Sequence, residues 1–439
     1  AQGAQQGLGP RAGVVAMRRG AWAAAALVDG VAAWPSWPFA GAEAPAPGSC
    51  SCNMDAWAAP PAESAQWEYE GGCDFDVLNE PPSQEEFDKK YFGKAPVLIR
   101  NYTTRWLADQ RWEKGAIYRR LTQSSGSGDR VVGFHTDDFW ASYYAKNRTW
   151  DENQSLSGFL CHEVCKKTFG SSGHDQKYVF DRDEVFKSIP WLSEDYEHAD
   201  FLVPHFDPEW HERWSRYLLV SGLGSGINFH HHTDAYNGCV RGRKRWFLYP
   251  PGNEPPEHQI GPLAWWRKVY DPEWSVHAAK TKGRKHTTKL LQCMQETGDL
   301  MYVPLFWWHA TISLGEGIGV SGQFVRHAFH ILSKATNYTE QGRWSDAERL
   351  YVLAWKHRAE LEMHVQTSLV LNIAVCQFHT GKYDKAERTA KRFLKIMKND
   401  PGNPAGVRQR KTATQILEQI QSKRQKSKTS VLGGGADEL

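Results

Sequence analysis

From Tyr217 to Val325 the apolar positions fall in short runs broken by glycine and proline. The runs Tyr217–Val220, Cys239–Val240, Trp246–Tyr249, Leu300–Val303, His309–Leu314 and Ile318–Val325 are separated by turn signals at Gly222, Gly224, Gly226, Pro250-Pro251-Gly252 and Gly298. Many short strands between turn residues predict a barrel or jelly roll. Upstream, the β-rich run Pro96–Arg100 and the short run Tyr178–Phe180 read as strands, with a short helix around Phe87–Phe92.

After about Ala328 the pattern turns helical, and it repeats. Gly342-Arg343-Trp344 with Ala347-Glu348-Arg349 recurs as Gly381-Lys382-Tyr383 with Ala386-Glu387-Arg388, an offset of 39 residues. That period is near the tetratricopeptide one, with small alanines where paired helices touch and an aromatic filling the groove between them. Two copies are fewer than such arrays need to stand alone, so the expectation is a TPR-like extension over 331–400, docked on the β domain and a possible partner surface; a plain helical hairpin is the simpler alternative.

Composition narrows the classes. The 439 residues are 41% hydrophobic and 23% charged, enough apolar material for a core, and the length allows about three domains. A formal net charge of +3 from 53 basic and 50 acidic residues argues against a nucleic-acid partner. No apolar run is long enough to predict a transmembrane helix. The basic stretch 408–428, with Glu418 its one acidic residue, reads as a solvated helix face within a 401–439 tail.

The ends point to a secretory route. Arg18-Arg19, an Ala-rich apolar run from Ala21 to Trp34 and small residues near Ala40–Ala46 follow the order of a signal peptide, so 1–46 reads as leader. Ala436-Asp437-Glu438-Leu439 resembles a receptor-read retention tail. Sequons stand at Asn101, Asn147, Asn153 and Asn337. Together these predict the endoplasmic reticulum lumen, where disulfides persist. Cys50, Cys52, Cys73, Cys161 and Cys165 are then the expected bridge formers, and Cys239, Cys293 and Cys376 the expected buried thiols. Residues 47–84, rich in Pro, Gly, Ser and Ala, read as a linker.

The chemistry concentrates in two stretches. In Phe229-His230-His231-His232-Thr233-Asp234, strand alternation puts His230 and His232 on one face and His231 on the other. A distant run, Gly298-Asp299 to Trp307-Trp308-His309, delivers a further histidine. Two imidazoles and a carboxylate on one barrel wall form the open-sided facial triad of non-haem Fe(II) oxygenases. The lone His135-Thr136-Asp137 lies upstream of these strands and is discounted.

Gly224-Ser225-Gly226, Phe229-His230, Ala235-Tyr236-Asn237, Gly242-Arg243-Lys244-Arg245-Trp246 and Pro250-Pro251, followed by Gly298-Asp299, Val303-Pro304 and Trp307-Trp308-His309, resemble a JmjC domain over about residues 85–330. The resemblance implies an α+β protein, with a double-stranded β-helix of the jelly-roll (cupin) type followed by an all-α TPR-like region. It also implies Fe(II) as cofactor and 2-oxoglutarate as co-substrate. By resemblance His230 and His309 are metal ligands, Lys244 pairs with a 2-oxoglutarate carboxylate, and Asn237 lies beside the co-substrate. The family has Asp two residues after its first histidine. Here that place is His232, and an Asp follows at Asp234, so either completes the ligand set. Ile227 stands where members often carry a hydroxyl. Two functions are thus expected: a luminal dioxygenase of the protein hydroxylase or demethylase type, or a catalytically degenerate JmjC module that binds proteins.

Overall fold

Strand pairing organises the β part of the molecule. The computed structural model describes residues 49–123, 134–135, 155–166, 178–205, 215–270, 290–324, 326–398 and 404–433, which fall into two compact units, 49–324 and 326–433. The leader, the C-terminal tetrapeptide, Asp137 and the sequons at Asn147 and Asn153 lie outside the described residues; Asn101 and Asn337 are exposed.

The strands in chain order are β1 (Val77–Leu78), β2 (Val97–Ile99), β3 (Phe134–His135), β4 (Tyr178–Arg182), β5 (Ser215–Ser221), β6 (Ala235–Arg241), β7 (Lys244–Tyr249), β8 (Leu291–Gln295), β9 (Leu300–Val303), β10 (Trp308–Ser313) and β11 (Gly317–Gln323). One sheet has the order β1-β2-β9-β6-β11-β5-β4-β3 and the other β10-β7-β8. Residues 224–230 run antiparallel beside β10: Gly224 N–H donates to Ser313 O, Ser313 N–H to Ser225 O, and His230 and His309 exchange a bonded pair of 3.1 and 2.9 Å. From β5 onward the chain crosses repeatedly between the two sheets, with β7 and β8 adjacent in the smaller one, in the cupin arrangement that the pattern of short strands predicts.

Alternation sorts the side chains. On β7 and β10 one parity (Phe247, Tyr249, Ala310, Ile312) joins an outer cluster with Trp67, Phe229, Leu263 and Trp265. The opposite parity of β7, Trp246 and Leu248, meets Leu98, Met301, Val303 and Trp307 between the sheets. The far face of the large sheet packs Leu218, Val220, Tyr236 and Val320 against helices α1 (Lys114–Gln123) and α2 (Leu156–His162). The predicted helix at Phe87–Phe92 is a π-helical turn, Phe87–Tyr91, continuing a short α-helix that Ser83 caps.

Residues 49–84, a linker by composition, instead belong to the β unit. Three disulfides fasten this unit's distant segments together: Cys50–Cys161, Cys52–Cys165 and Cys73–Cys293. Trp67 is buried, and the carbonyls of Trp67 and Glu68 accept from the buried Arg245 guanidinium. Low average hydrophobicity hid these few strong anchors. The third bridge corrects the expectation that Cys293 is a thiol: its apolar surroundings on β8 match a buried cysteine, but β8 is an edge strand, and Cys73 pairs alongside it. Cys239 and Cys376 are buried thiols.

The second unit is helical: α3 (His327–Glu340), α4 (Trp344–Lys356), α5 (Met363–His379), α6 (Tyr383–Met397) and α7 (Pro404–Gly433). Successive helices pack on one another, and the two turns at the 39-residue offset are alike, with Gly342 and Gly381 both at φ +73°. Any side chain is strained at that angle, which explains glycine in both copies. Ala347 and Ala386 are fully buried, as close helix contact requires. The stretch assigned to a tail is a helix whose Ala413, Ile416 and Ile420 are buried with Phe393 and Met397.

Candidate metal centre

His230 ends the segment that pairs with β10, His309 sits on β10, and His232 lies in the turn leading into β6. Cross-strand pairing brings the rings of His230 and His309 to 4.2 Å between centroids; His232 stands 5.3 Å from the first and 4.7 Å from the second. One ring nitrogen from each lies within 4.8 Å of the others, a spacing that could hold a metal ion. His231 points the other way, onto Trp308, as alternation predicts.

Backbone carbonyls settle which nitrogen is available. His230 Nδ1 lies 2.8 Å from Asn228 O, His232 Nδ1 2.6 Å from Thr233 O, and His309 Nδ1 2.9 Å from Trp307 O. A carbonyl only accepts, so each Nδ1 carries the hydrogen and each Nε2 the lone pair. The rings are held neutral. Burial, reinforced by His232, pulls His230 down to about 3, and burial pulls His232 down to about 4. Burial, with His230 and His232 beside it, holds His309 well below the ordinary imidazole value. Three neutral nitrogen donors suit a borderline divalent ion such as Fe(II) or Zn(II).

Asp234 does not join this cluster. Its fully buried carboxylate accepts from the Tyr302 hydroxyl at 2.5 Å and from Leu305 N–H at 3.3 Å. Of the two residues the sequence left open, His232 is the one brought to His230 and His309.

Deeper between the sheets lies a second polar group. Thr311 and Ser313 follow His309 on its face of β10, and Ser313 pairs across to Lys244 on β7, so the two side chains share that face. Lys244 is 2% exposed, with its Nζ 3.5 Å from the Tyr178 hydroxyl. Burial raises the Tyr178 phenol above its ordinary value and keeps it neutral, so it offers no counter-charge. Among the described residues no carboxylate pairs with Lys244. Asn237 Oδ1 and Ser313 Oγ are likewise buried without a hydrogen-bond partner among the described residues. An ammonium without a carboxylate partner among the described residues, paired across the strands with Ser313 in a low-dielectric interior, fits an anionic, oxygen-rich ligand. Ile227 lies on the strand beside β10, its carbonyl accepting from Thr311 N–H.

Residues 83–331 match the cupin-like domain family. The chain belongs to that family. Its relatives include human JmjC domain-containing protein 8, 36% identical over 237 residues, which are 54% of this chain and 78% of the human protein. The lysine-specific demethylase JMJ21 of Arabidopsis thaliana is 28% identical over 295 residues, 59% of this chain and 26% of that protein. The bifunctional arginine demethylase and lysyl-hydroxylase psr-1 of Caenorhabditis elegans is 23% identical over 262 residues, 55% and 58% of the two chains. This JmjC membership accords with the sheet order.

Sequence reasoning missed Ser313, Tyr178 and the carbonyls of Asn228, Thr233 and Trp307. Ser313 was within reach, since it stands four residues after His309 in a strand and so on the same face. The carbonyls carry no residue-type signal.

Proposed function

We propose that this chain is an Fe(II)- and 2-oxoglutarate-dependent dioxygenase that hydroxylates or demethylates a protein side chain in the endoplasmic reticulum lumen. The observation that carries the reading is the pairing of two features on one barrel face: three neutral imidazoles with Nε2 lone pairs converging, and a buried Lys244 lacking a carboxylate partner among the described residues. His230, His232 and His309 would hold the ion. Lys244 would bind the distal carboxylate of 2-oxoglutarate, with Ser313 and Asn237 completing its polar contacts. Trp246 and Leu248, on the Lys244 face of β7, form an apolar cluster with Met301 and Val303, which would strengthen the ammonium–carboxylate attraction. The ion would supply the activation of O₂ that couples decarboxylation of 2-oxoglutarate to oxygen insertion. Three disulfides support the oxidising compartment.

His232, in place of the family's Asp, favours a second reading: a JmjC module without turnover that binds protein partners. The test is anaerobic Fe(II) titration of the full chain with 2-oxoglutarate, followed by O₂ and succinate measurement with and without luminal proteins. Metal-dependent succinate that His309→Ala abolishes supports the dioxygenase. Metal binding without succinate under every condition supports the module.

A further inference from the structure

Three residues other than glycine have left-handed backbone among the described residues, and one of them, Phe306 at φ +63°, borders the histidine cluster. Asn tolerates that region and a bulky aromatic does so rarely. Nothing about the Phe306 side chain accounts for the strain: the ring is partly exposed, belongs to none of the buried clusters among the described residues, and makes its ring contact with His231 at 6.2 Å. The backbone accounts for it. Leu305 N–H donates to Asp234 Oδ1 at 3.3 Å, Phe306 N–H to His232 O at 2.8 Å, and Trp307 O accepts from His309 Nδ1 at 2.9 Å. Three consecutive residues therefore hold both ends of the His232–Asp234 turn and orient the His309 ring. An ordinary right-handed or extended residue at 306 would turn the next peptide, and with it the Trp307 carbonyl, away from His309 while Phe306 N–H faced His232.

We propose that Phe306 is a positioning residue, whose left-handed backbone lets residues 305–307 fix two of the three clustered imidazoles, His232 and His309, in one orientation. Backbone strain concentrated at such a site is the form that preorganisation takes when a loop must satisfy two partners at once. The inference rests on the metal-site reading for one of its two measurements and is independent of it for the other.

The test compares Phe306→Gly, which adopts the same angle freely, with Phe306→Val, whose branched side chain disfavours it most, in the full, disulfide-bonded chain. Co(II) is titrated anaerobically as the probe ion. Phe306→Gly is expected to bind within about 3-fold of the wild type and Phe306→Val about 10–100-fold more weakly, the range seen when groups orienting a ligand are lost. In metal-free protein, long-range ¹H–¹⁵N spectra of the imidazoles are expected to show the Nδ1–H form of His232 and His309 in the wild type and in Phe306→Gly, and to lose it for at least one of them in Phe306→Val. A folded Phe306→Val variant that is less stable yet keeps both its Co(II) affinity and the two tautomers overturns the proposal, because Phe306 then serves only folding. Loss of the tautomers in Phe306→Gly overturns it as well. If the wild type binds no Co(II), the metal-site reading fails and the tautomers alone decide for Phe306. If Phe306→Val does not fold, Phe306→Ala, intermediate in its tolerance of the angle, carries the same comparison.

Discussion

Replacing Lys244 with methionine separates a ligand-binding cation from a structural one, because the two roles predict opposite signs for stability. The ammonium is 2% exposed, and its polar contact is a neutral phenol at 3.5 Å. Burying a lone charge costs several kcal/mol even after relaxation, and a hydrogen bond from a charged donor returns about 1.5–3 kcal/mol at best, at 3.5 Å the lower end of that range. Lys244→Met keeps the stem and removes the charge. Exchanging buried charged groups for apolar ones of similar volume gains about 1–4 kcal/mol. For a unit of this size that raises Tm by roughly 2–10 °C. Binding moves the other way: truncating one partner of a buried charge pair costs about 2–5 kcal/mol, a loss of about 30-fold to several thousand-fold in 2-oxoglutarate affinity. Scanning fluorimetry without co-substrate and anaerobic calorimetry with it measure the two effects. A Lys244→Met protein that melts lower and binds 2-oxoglutarate as before would refute the assignment.

The ligand register is tested by a pair of variants. His232→Ala is expected to weaken metal binding more than about 10-fold, whereas Asp234→Asn keeps one metal per chain and loses about 1–3 kcal/mol of stability through its Tyr302 and Leu305 contacts; the reverse ranking by metal titration would return Asp234 to the ligand set. Gly226→Ala would place a Cβ 1.8 Å from the Thr311 carbonyl oxygen, so the segment bearing His230 cannot stay docked on β10; a cost of about 1–3 kcal/mol with loss of metal binding is expected, and unchanged metal affinity would show that this pairing does not position the ring. Thiol titration of the denatured, unreduced protein is expected to give two free thiols per chain, Cys239 and Cys376; eight would mean that the bridges do not form, and removal of the Cys73–Cys293 bridge by Cys73→Ser should cost about 2–5 kcal/mol in unfolding experiments.

The β unit was legible wherever a strand carries alternating or continuous apolar residues between turn signals. Leu300–Val303 has the predicted bounds, and His309–Leu314 and Trp246–Tyr249 each differ by one or two residues at their ends. Strands failed to register where pairing rather than pattern makes them: β1 is two residues long, and β8 is rich in glutamine, with Gln295 buried because its amide bonds the backbone of Asn237 and Asp299. The segment 49–84 was misread because three cysteines and one buried tryptophan hold it, and averaging over composition dilutes four residues. The convergence of His230 and His309 followed from family resemblance. The choice between His232 and Asp234 did not, because both follow His230 at even spacing and only the tertiary partners of each tell them apart.

Those partners give the substitution at His232 its physical meaning. A carboxylate ligand brings a negative charge to a divalent ion, and a neutral imidazole does not, so the cluster here leaves the full charge of the ion to be balanced by whatever else enters the barrel. Lys244 adds another positive charge on the same face, without a carboxylate partner among the described residues. With a divalent ion on the three imidazoles and the ammonium on the same face, and no carboxylate paired with Lys244 among the described residues, a bound dianion would offset two of three positive charges, an attraction that the apolar cluster nearby would strengthen. Asp234, the carboxylate nearest in sequence, is withheld from the ion by Tyr302 and Leu305 and used to shape the turn that presents His232. The charge balance of such a centre would therefore depend on the anion it binds rather than on its ligand set, so metal and 2-oxoglutarate binding are to be measured separately from turnover.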